Sequence, residues 1–165
     1  MTELHKSFSS EVFVLGKGWT EKKHVSKGDE ILVYDEHHQD VRWGTIHKRL
    51  SYEYDGDEVY RVSSIDKGIG YVVTEYCPIP LRPGEDGAIT SWAAIACSFV
   101  DHPIYVPIFA QAKPLSSPSF VEVDLEGLSG YNGQVHSLEL DAPMYLCRQG
   151  DTIFGSMSTG KEEMP

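Results

Sequence analysis

Along most of the chain, apolar and polar positions alternate in short runs with period two rather than 3.6. EVFVL (11–15), EILVY (30–34), VYRVSS (59–64), GYVVT (70–74), IYVPIF (104–109), FVEVDL (120–125), VHSLEL (135–140) and MYLCR (144–148) all show this habit. Their β-branched and aromatic residues suit a pleated, half-buried surface, so each predicts a strand. Between them lie clusters of Gly, Asp, Asn and Pro, and the 9 prolines and 15 glycines are spread widely enough to serve many turns. A single stretch, ITSWAAIACSF (89–99), has the small and apolar run of a short helix. The pattern predicts an all-β domain of about a dozen short strands, as a sandwich, a barrel or an intertwined β fold.

The chain also repeats itself. Residues 54–63 read YDGDEVYRVS and residues 131–140 read YNGQVHSLEL. Each sets Asp-Gly or Asn-Gly between a tyrosine and an alternating run, and each is followed by a second apolar run, GYVVTEYC or APMYLCRQG. Such dipeptides tolerate positive φ and predict a tight hairpin turn. Two like modules about 77 residues apart suggest a duplicated half-domain. Two unrelated hairpins are the alternative.

Composition narrows the function classes. A chain of 165 residues, 41% hydrophobic and 11% aromatic, suffices for one domain with its own core. No apolar stretch approaches the roughly 20 residues of a membrane helix, and MTELHKSFSS lacks the apolar centre of a signal peptide. The expectation is a soluble, intracellular protein with no membrane partner. With 25 acidic against 14 basic residues the net charge is −11, the wrong balance for tracking phosphates, so nucleic acid is not an expected partner. Only EKKHVSK (21–27) concentrates cations. An acidic inhibitor or nucleic-acid mimic would need its carboxylates on one face, and here they are dispersed along the chain.

Candidate chemistry is sparse. Cys77, Cys97 and Cys147 are widely spaced without a CxxC, which predicts buried thiols in a reducing compartment rather than a zinc site. Asp55, Asp57 and Glu58 resemble a calcium run, but the hairpin explains the Asp-Gly. His37 and His38 within DEHHQD (35–40) suit a metal or, more simply, a polar loop. No phosphate-cradling glycine loop or GxSxG elbow occurs, and neither metal nor cofactor is expected. Tyr52, Tyr54, Tyr60, Tyr71 and Tyr76 fit half-buried strands or the rim of a binding surface.

Taken in order, several stretches resemble the Hint family, the shared fold of inteins and hedgehog autoprocessing domains. EVFVLGKGW (11–19) resembles the family's first strand and Gly-Trp turn, and HVSKGDEILVYD (24–35) its next block. YEYDGDEVYRVSSIDKGIGYVVTEYC (52–77) resembles the hairpin and strand that deliver a Thr-x-x-His. SWAAIA (91–96) with IYVP (104–107), and then GYNGQVHSLELDAPMYLCRQGDTIFGS (130–156), resemble the later blocks. Order and spacing carry the likeness, over a domain at 10–158 between tails at 1–9 and 159–165. The resemblance implies a horseshoe-like pseudo-twofold β domain whose cleft, in working members, performs acyl chemistry. There a Cys or Ser at the start attacks the preceding carbonyl, Thr-x-x-His activates that bond, and a terminal His-Asn cyclises.

Each of those stations is altered in this sequence. The first nucleophile would be Ser7, Ser9 or Ser10, hydroxyls that are also ordinary turn residues before a strand. Thr74 matches, but Cys77 stands where the histidine belongs, and a neutral thiol with a pKa of about 8.5 is a poor proton shuttle. His136 is the candidate relay of the closing block, although an alternating strand suggests a structural or surface position. The last strand ends Phe154-Gly155-Ser156, with no asparagine to cyclise. Fewer than about a dozen residues outside the domain at either end would leave little for splicing to join. The expectation is therefore a Hint-fold domain that has lost splicing and cleavage and binds a protein partner or a second copy of itself, with no catalytic residues in use. The wording of the closing block resembles inteins carried by bacteriophages, which suggests such an origin. A self-processing domain using Ser9 or Ser10 with Thr74 is the enzymatic alternative.

Overall fold

The computed structural model describes residues 10–64, 68–74, 79–82, 89–92, 103–110 and 118–158. Eleven strands and one 3-10 turn account for most of these. β1 (Glu11–Val14) and β2 (Gly18–Glu21) form a hairpin whose turn uses Gly16 and Gly18 at positive φ. The 3-10 turn Lys22–His24 leads to β3 (Glu30–Asp35). Then come β4 (Asp40–Ser64), β5 (Gly70–Val73), β6 (Ile79–Leu81) and β7 (Thr90–Trp92). β8 (Ile104–Phe109), β9 (Ser119–Leu140), β10 (Met144–Gln149) and β11 (Thr152–Met157) complete the set.

All pairings between strands are antiparallel. Nine strands run in the order β2-β1-β3-β10-β11-β8-β9-β4-β5, while β6 and β7 pair apart. Because β3 also pairs with the first part of β4, the circuit β3-β10-β11-β8-β9-β4 closes on itself. Such closure removes free edges where strands meet. The all-β expectation holds.

Two expectations need correction. The Asp-Gly and Asn-Gly dipeptides do not turn the chain: Asp55 lies inside the 25-residue β4, and Asn132 inside the 22-residue β9. Their backbone freedom serves irregularities within long strands, with register shifts between Asp55 and Asp57 and again before Val59, and with Gly130 and Gly133 at positive φ. The helix expected from residue 89 begins instead as a strand, since Thr90–Trp92 pairs with Leu81–Ile79; residues 93–99 lie outside the described residues.

The duplication, in contrast, is written into the ladder between β4 and β9. Asp55 pairs with Asn132, so the two repeated tyrosine motifs cross each other. Tyr54 and Tyr131 meet edge to face with centroids 6.0 Å apart. On either side the pairs come in mates related by the same offset of about 77 residues. Ser51 opposite His136 has the mate Leu128 opposite Val59; Leu50 with Ser137 has Gly127 with Tyr60; Arg49 with Leu138 has Glu126 with Arg61. A local pseudo-twofold axis therefore passes beside Asp55 and Asn132.

Three strands carry nearly unbroken apolar runs because both of their faces are covered. Ile31, Val33, Tyr145, Cys147 and Phe154 join one large cluster, and the alternate residues Leu32, Tyr34, Met144, Leu146 and Ile153 join another. Burial of each such side chain stabilises by about 1.5–3 kcal/mol. Cys147 is buried in the large cluster, as expected. The DEHH loop is the β3–β4 turn. Asp35 Oδ1 accepts from the backbone N–H groups of His37 and His38, and Oδ2 lies 2.7 Å from His38 Nδ1 and 3.2 Å from Arg42. That is a complete structural role for Asp35 and His38. Asp55 lies within β4 too, and Glu58 accepts a hydrogen bond from Tyr60 at 3.0 Å, so this acidic run belongs to the strand rather than a hairpin loop.

Candidate functional site

A cavity of about 420 Å³ opens where the start of the domain, the end of β5, the second half of β9 and β11 converge. The closed circuit of strands forces this meeting. β1 follows directly on Ser10, β5 delivers Val72, Val73 and Thr74, β9 delivers Tyr131, Gln134, Val135 and His136, and β11 delivers Phe154 and Ser156. The segment Glu21-Lys22-Lys23 closes the remaining side.

Four residues singled out in the sequence thus share one cavity: Ser10, Thr74, His136 and Ser156. Thr74 is fully buried and Ser156 nearly so. Ser7, Ser9 and Cys77 lie outside the described residues, as does Tyr76. His136, expected at a structural or surface position, stands half-buried in the cavity wall.

Gln149 organises the centre. Its carboxamide Oε1 accepts from the Val72 N–H at 2.9 Å, and Nε2 donates to the Val72 carbonyl at 2.8 Å. The side chain thereby pairs with β5 as a peptide group of another strand would. Nε2 also donates to Ser10 Oγ at 2.8 Å. One amide, held by the β10–β11 turn where Gly150 adopts positive φ, ties the first hydroxyl of the domain to β5. Arg148, beside it, reaches the Glu11 carboxylate at 2.8 Å and lies over the Trp19 ring.

His136 Nδ1 lies 2.9 Å from Ser51 Oγ, its cross-strand partner. Burial holds its pKa below the ordinary imidazole range, and the charges of Arg49, Lys22 and Lys23 push in the same direction. The ring is therefore neutral near pH 7. Arg49 in turn donates to the carbonyls of Lys22, at 3.4 Å, and of Lys23, fastening the cationic 3-10 turn to β4. Tyr131, in the same wall, has its phenol pKa raised by burial.

These groups offer hydrogen-bond donors, positive charge and an apolar strip of Val72, Val73, Val135 and Phe154. Acyl transfer needs a nucleophile beside a group that takes its proton. The amide that meets Ser10 donates and cannot take one. His136 could accept a proton only by becoming an imidazolium amid three cations, which opposes the step. Among the described residues no cluster of three His, Cys, Asp or Glu side chains is placed to hold a metal.

Gln149, Ser51, Arg49 and the Lys22–Lys23 turn were not singled out from the sequence. The apolar run APMYLCRQG marked the neighbourhood of Gln149, but nothing local reveals that its amide spans to residue 72. EKKHVSK was visible as the sole basic concentration; its place beside the cavity was not.

No protein-family model and no curated protein matches the chain. Solved structures do. A splice-inactive variant of the AceL NrdHF class 3 split intein superposes with a TM-score of 0.76 at 14% identity, covering 94% of this chain and 99% of that one. An intein from a hyperthermophile gives 0.66 at 14% identity, covering 91% and 98%. The bacterial intein-like domain from Clostridium thermocellum gives 0.60 at 12% identity, covering 90% and 97%. At these identities the likeness carries the architecture, so the chain has the Hint-type fold of inteins.

Proposed function

We propose that this Hint-fold domain has no splicing or cleavage activity and serves as a binding module whose cleft receives an extended peptide segment of a protein partner. The observation that carries this reading is the state of the first hydroxyl: Ser10 Oγ accepts from an amide N–H of Gln149, a group that cannot take its proton. Two features of the cleft support it. His136 lies among cations that oppose its protonation, and Ser156 occupies the last strand where the resemblance calls for an asparagine that cyclises. The cavity keeps its hydroxyl donors and its apolar strip, which suit a main chain with side chains in pockets.

Incubating the full chain overnight with thiol or hydroxylamine and recording the intact mass tests the reading. One species at 18.4 kDa is expected. A fragment cut beside Ser10 or Ser156, or a hydroxamate adduct, would establish an acyl intermediate and replace the binding reading with self-processing.

A further inference from the structure

The strand order of the nine-stranded sheet ends at β2 on one side and at β5 on the other, and the two outer edges differ. The β4–β5 hairpin closes with the Ser64 N–H on the Ile69 carbonyl. Bonded pairs recur at every second residue from there, which turns Gly70 and Val72 outward. Both outward groups of Val72 are taken by the Gln149 amide. On β2 the Lys22 N–H donates to the Ser10 carbonyl at 3.1 Å. Counting back along the register, Thr20 bonds with Val12 and Gly18 with Val14, so the N–H and C=O groups of Trp19 and Glu21 point away from β1. Among the described residues none of these outward groups has a hydrogen-bond partner. Glu21 is extended, with φ −62° and ψ 142°. The edge also leads to the cleft, because Glu21, the last residue of β2, lines the cavity with Lys22, Lys23 and Ser10.

We propose that the peptide adds to the sheet as a strand on the outer edge of β2, paired with the main chain of Trp19 and Glu21, and passes from there into the cleft. This rests on the binding reading above and names how its ligand docks. An unpaired strand edge is a template for another extended chain, and main-chain bonds supply the affinity. A residue paired with Trp19 sets its side chain on the face of the Trp19 and Phe13 rings, which meet edge to face at 5.2 Å. A β-branched or aromatic residue is favoured there. The β5 edge offers no equal place at Val72, since Gln149 stands where a strand would pair.

Nuclear magnetic resonance of the full chain, titrated with the capped peptide N-acetyl-Thr-Val-Thr-Val-Thr-amide, tests the proposal. The Trp19 and Glu21 amides are expected to become protected from solvent exchange as the peptide is added. Glu21→Pro removes one outward N–H, its ring suits the native φ, and the bonds to β1 are left in place. Glu21→Ala loses the same carboxylate but keeps the N–H. The proline variant is expected to bind the peptide at least about tenfold more weakly than the alanine variant. Thermal unfolding shows whether both fold, and the exchange pattern of the native chain decides the matter without them. Equal binding by the two folded variants would overturn main-chain pairing at Glu21. Peptide-induced changes confined to the cleft, with the Trp19 and Glu21 amides exchanging as before, would overturn edge docking and leave the binding reading in place. Protection of both amides without peptide, rising with protein concentration, would overturn it in favour of a second copy on the same edge. Failure of the peptide to bind would overturn it together with the reading on which it rests.

Discussion

The pair Ser51–His136 and its pseudo-symmetric mate, Leu128–Val59, occupy equivalent places on the two long strands and do opposite things. Val59 is fully buried among Tyr54, Val72, Tyr131 and Val135, with Leu128 packed against the cluster. His136 is half-buried in a cavity wall and bonded to an exposed serine. The ladder that holds them is the same, so backbone position alone does not determine the role. One half of the duplicated module uses this position for cohesion, and the other leaves it polar on the wall of the cleft.

The comparison breaks most visibly on the apolar side. Val59→Ser removes a buried side chain and adds a hydroxyl in an apolar cluster, and is expected to cost about 3 kcal/mol in urea unfolding. The mate substitution, His136→Val, should stay within about 1 kcal/mol of the parent, because the position already borders solvent. Equal losses at both positions would mean that the two halves are not differentiated as described.

Gln149→Ala comes next. It strips both main-chain partners from Val72 at a site where Gln149 is only 6% exposed, so a loss of about 2 kcal/mol is expected. Faster amide exchange at Val72 should accompany it. Unchanged exchange there would show that the amide does not hold β5.

A smaller effect sharpens the polar side. The His136 pKa is lowered in the folded chain, so protonation favours the unfolded state. The neutral ring's contribution is fully present above the unfolded value of about 6.5 and is lost as pH falls from there through the folded value. His136→Gln should therefore flatten the fall in stability below about pH 6.5 relative to the parent. Asp35, on the β3–β4 turn, has the same sign from a different cause. Its carboxyl is held below the ordinary range chiefly by the side-chain hydrogen bond from His38, opposed by burial and supported by the His38 backbone N–H and the charge of Arg42. Its contribution is present above the unfolded pKa and disappears as pH falls through the folded value. Asp35→Asn should remove that acid-side dependence with only a small change at neutral pH.

Strand positions were legible because the alternation is local: Ile104–Phe109 reads the same in sequence and structure, and Glu30–Asp35 differs by one residue. The long strands were not. Residues 46–58 and 126–134 carry polar stretches with glycines that look like turns, and the pairing of β4 with β9 keeps them extended. The duplication was visible in the tyrosine motifs, while its consequence, that the copies pair across an axis, depends on contacts about 77 residues apart. The cavity was half legible. Ser10, Thr74, His136 and Ser156 were named from their order along the chain; Gln149 and the cationic turn join them only through tertiary contacts.

The central claim is binding without cutting at this one cleft. Backbone and imidazole chemical shifts of the full chain, recorded while an extended peptide is added, test it most directly. The account predicts shifts concentrated at Ser10, Val72–Thr74, Gln134–His136 and Phe154–Ser156, with every signal of the intact chain retained to the end of the titration. Shifts centred elsewhere, or the growth of signals from a cleaved chain, would contradict it.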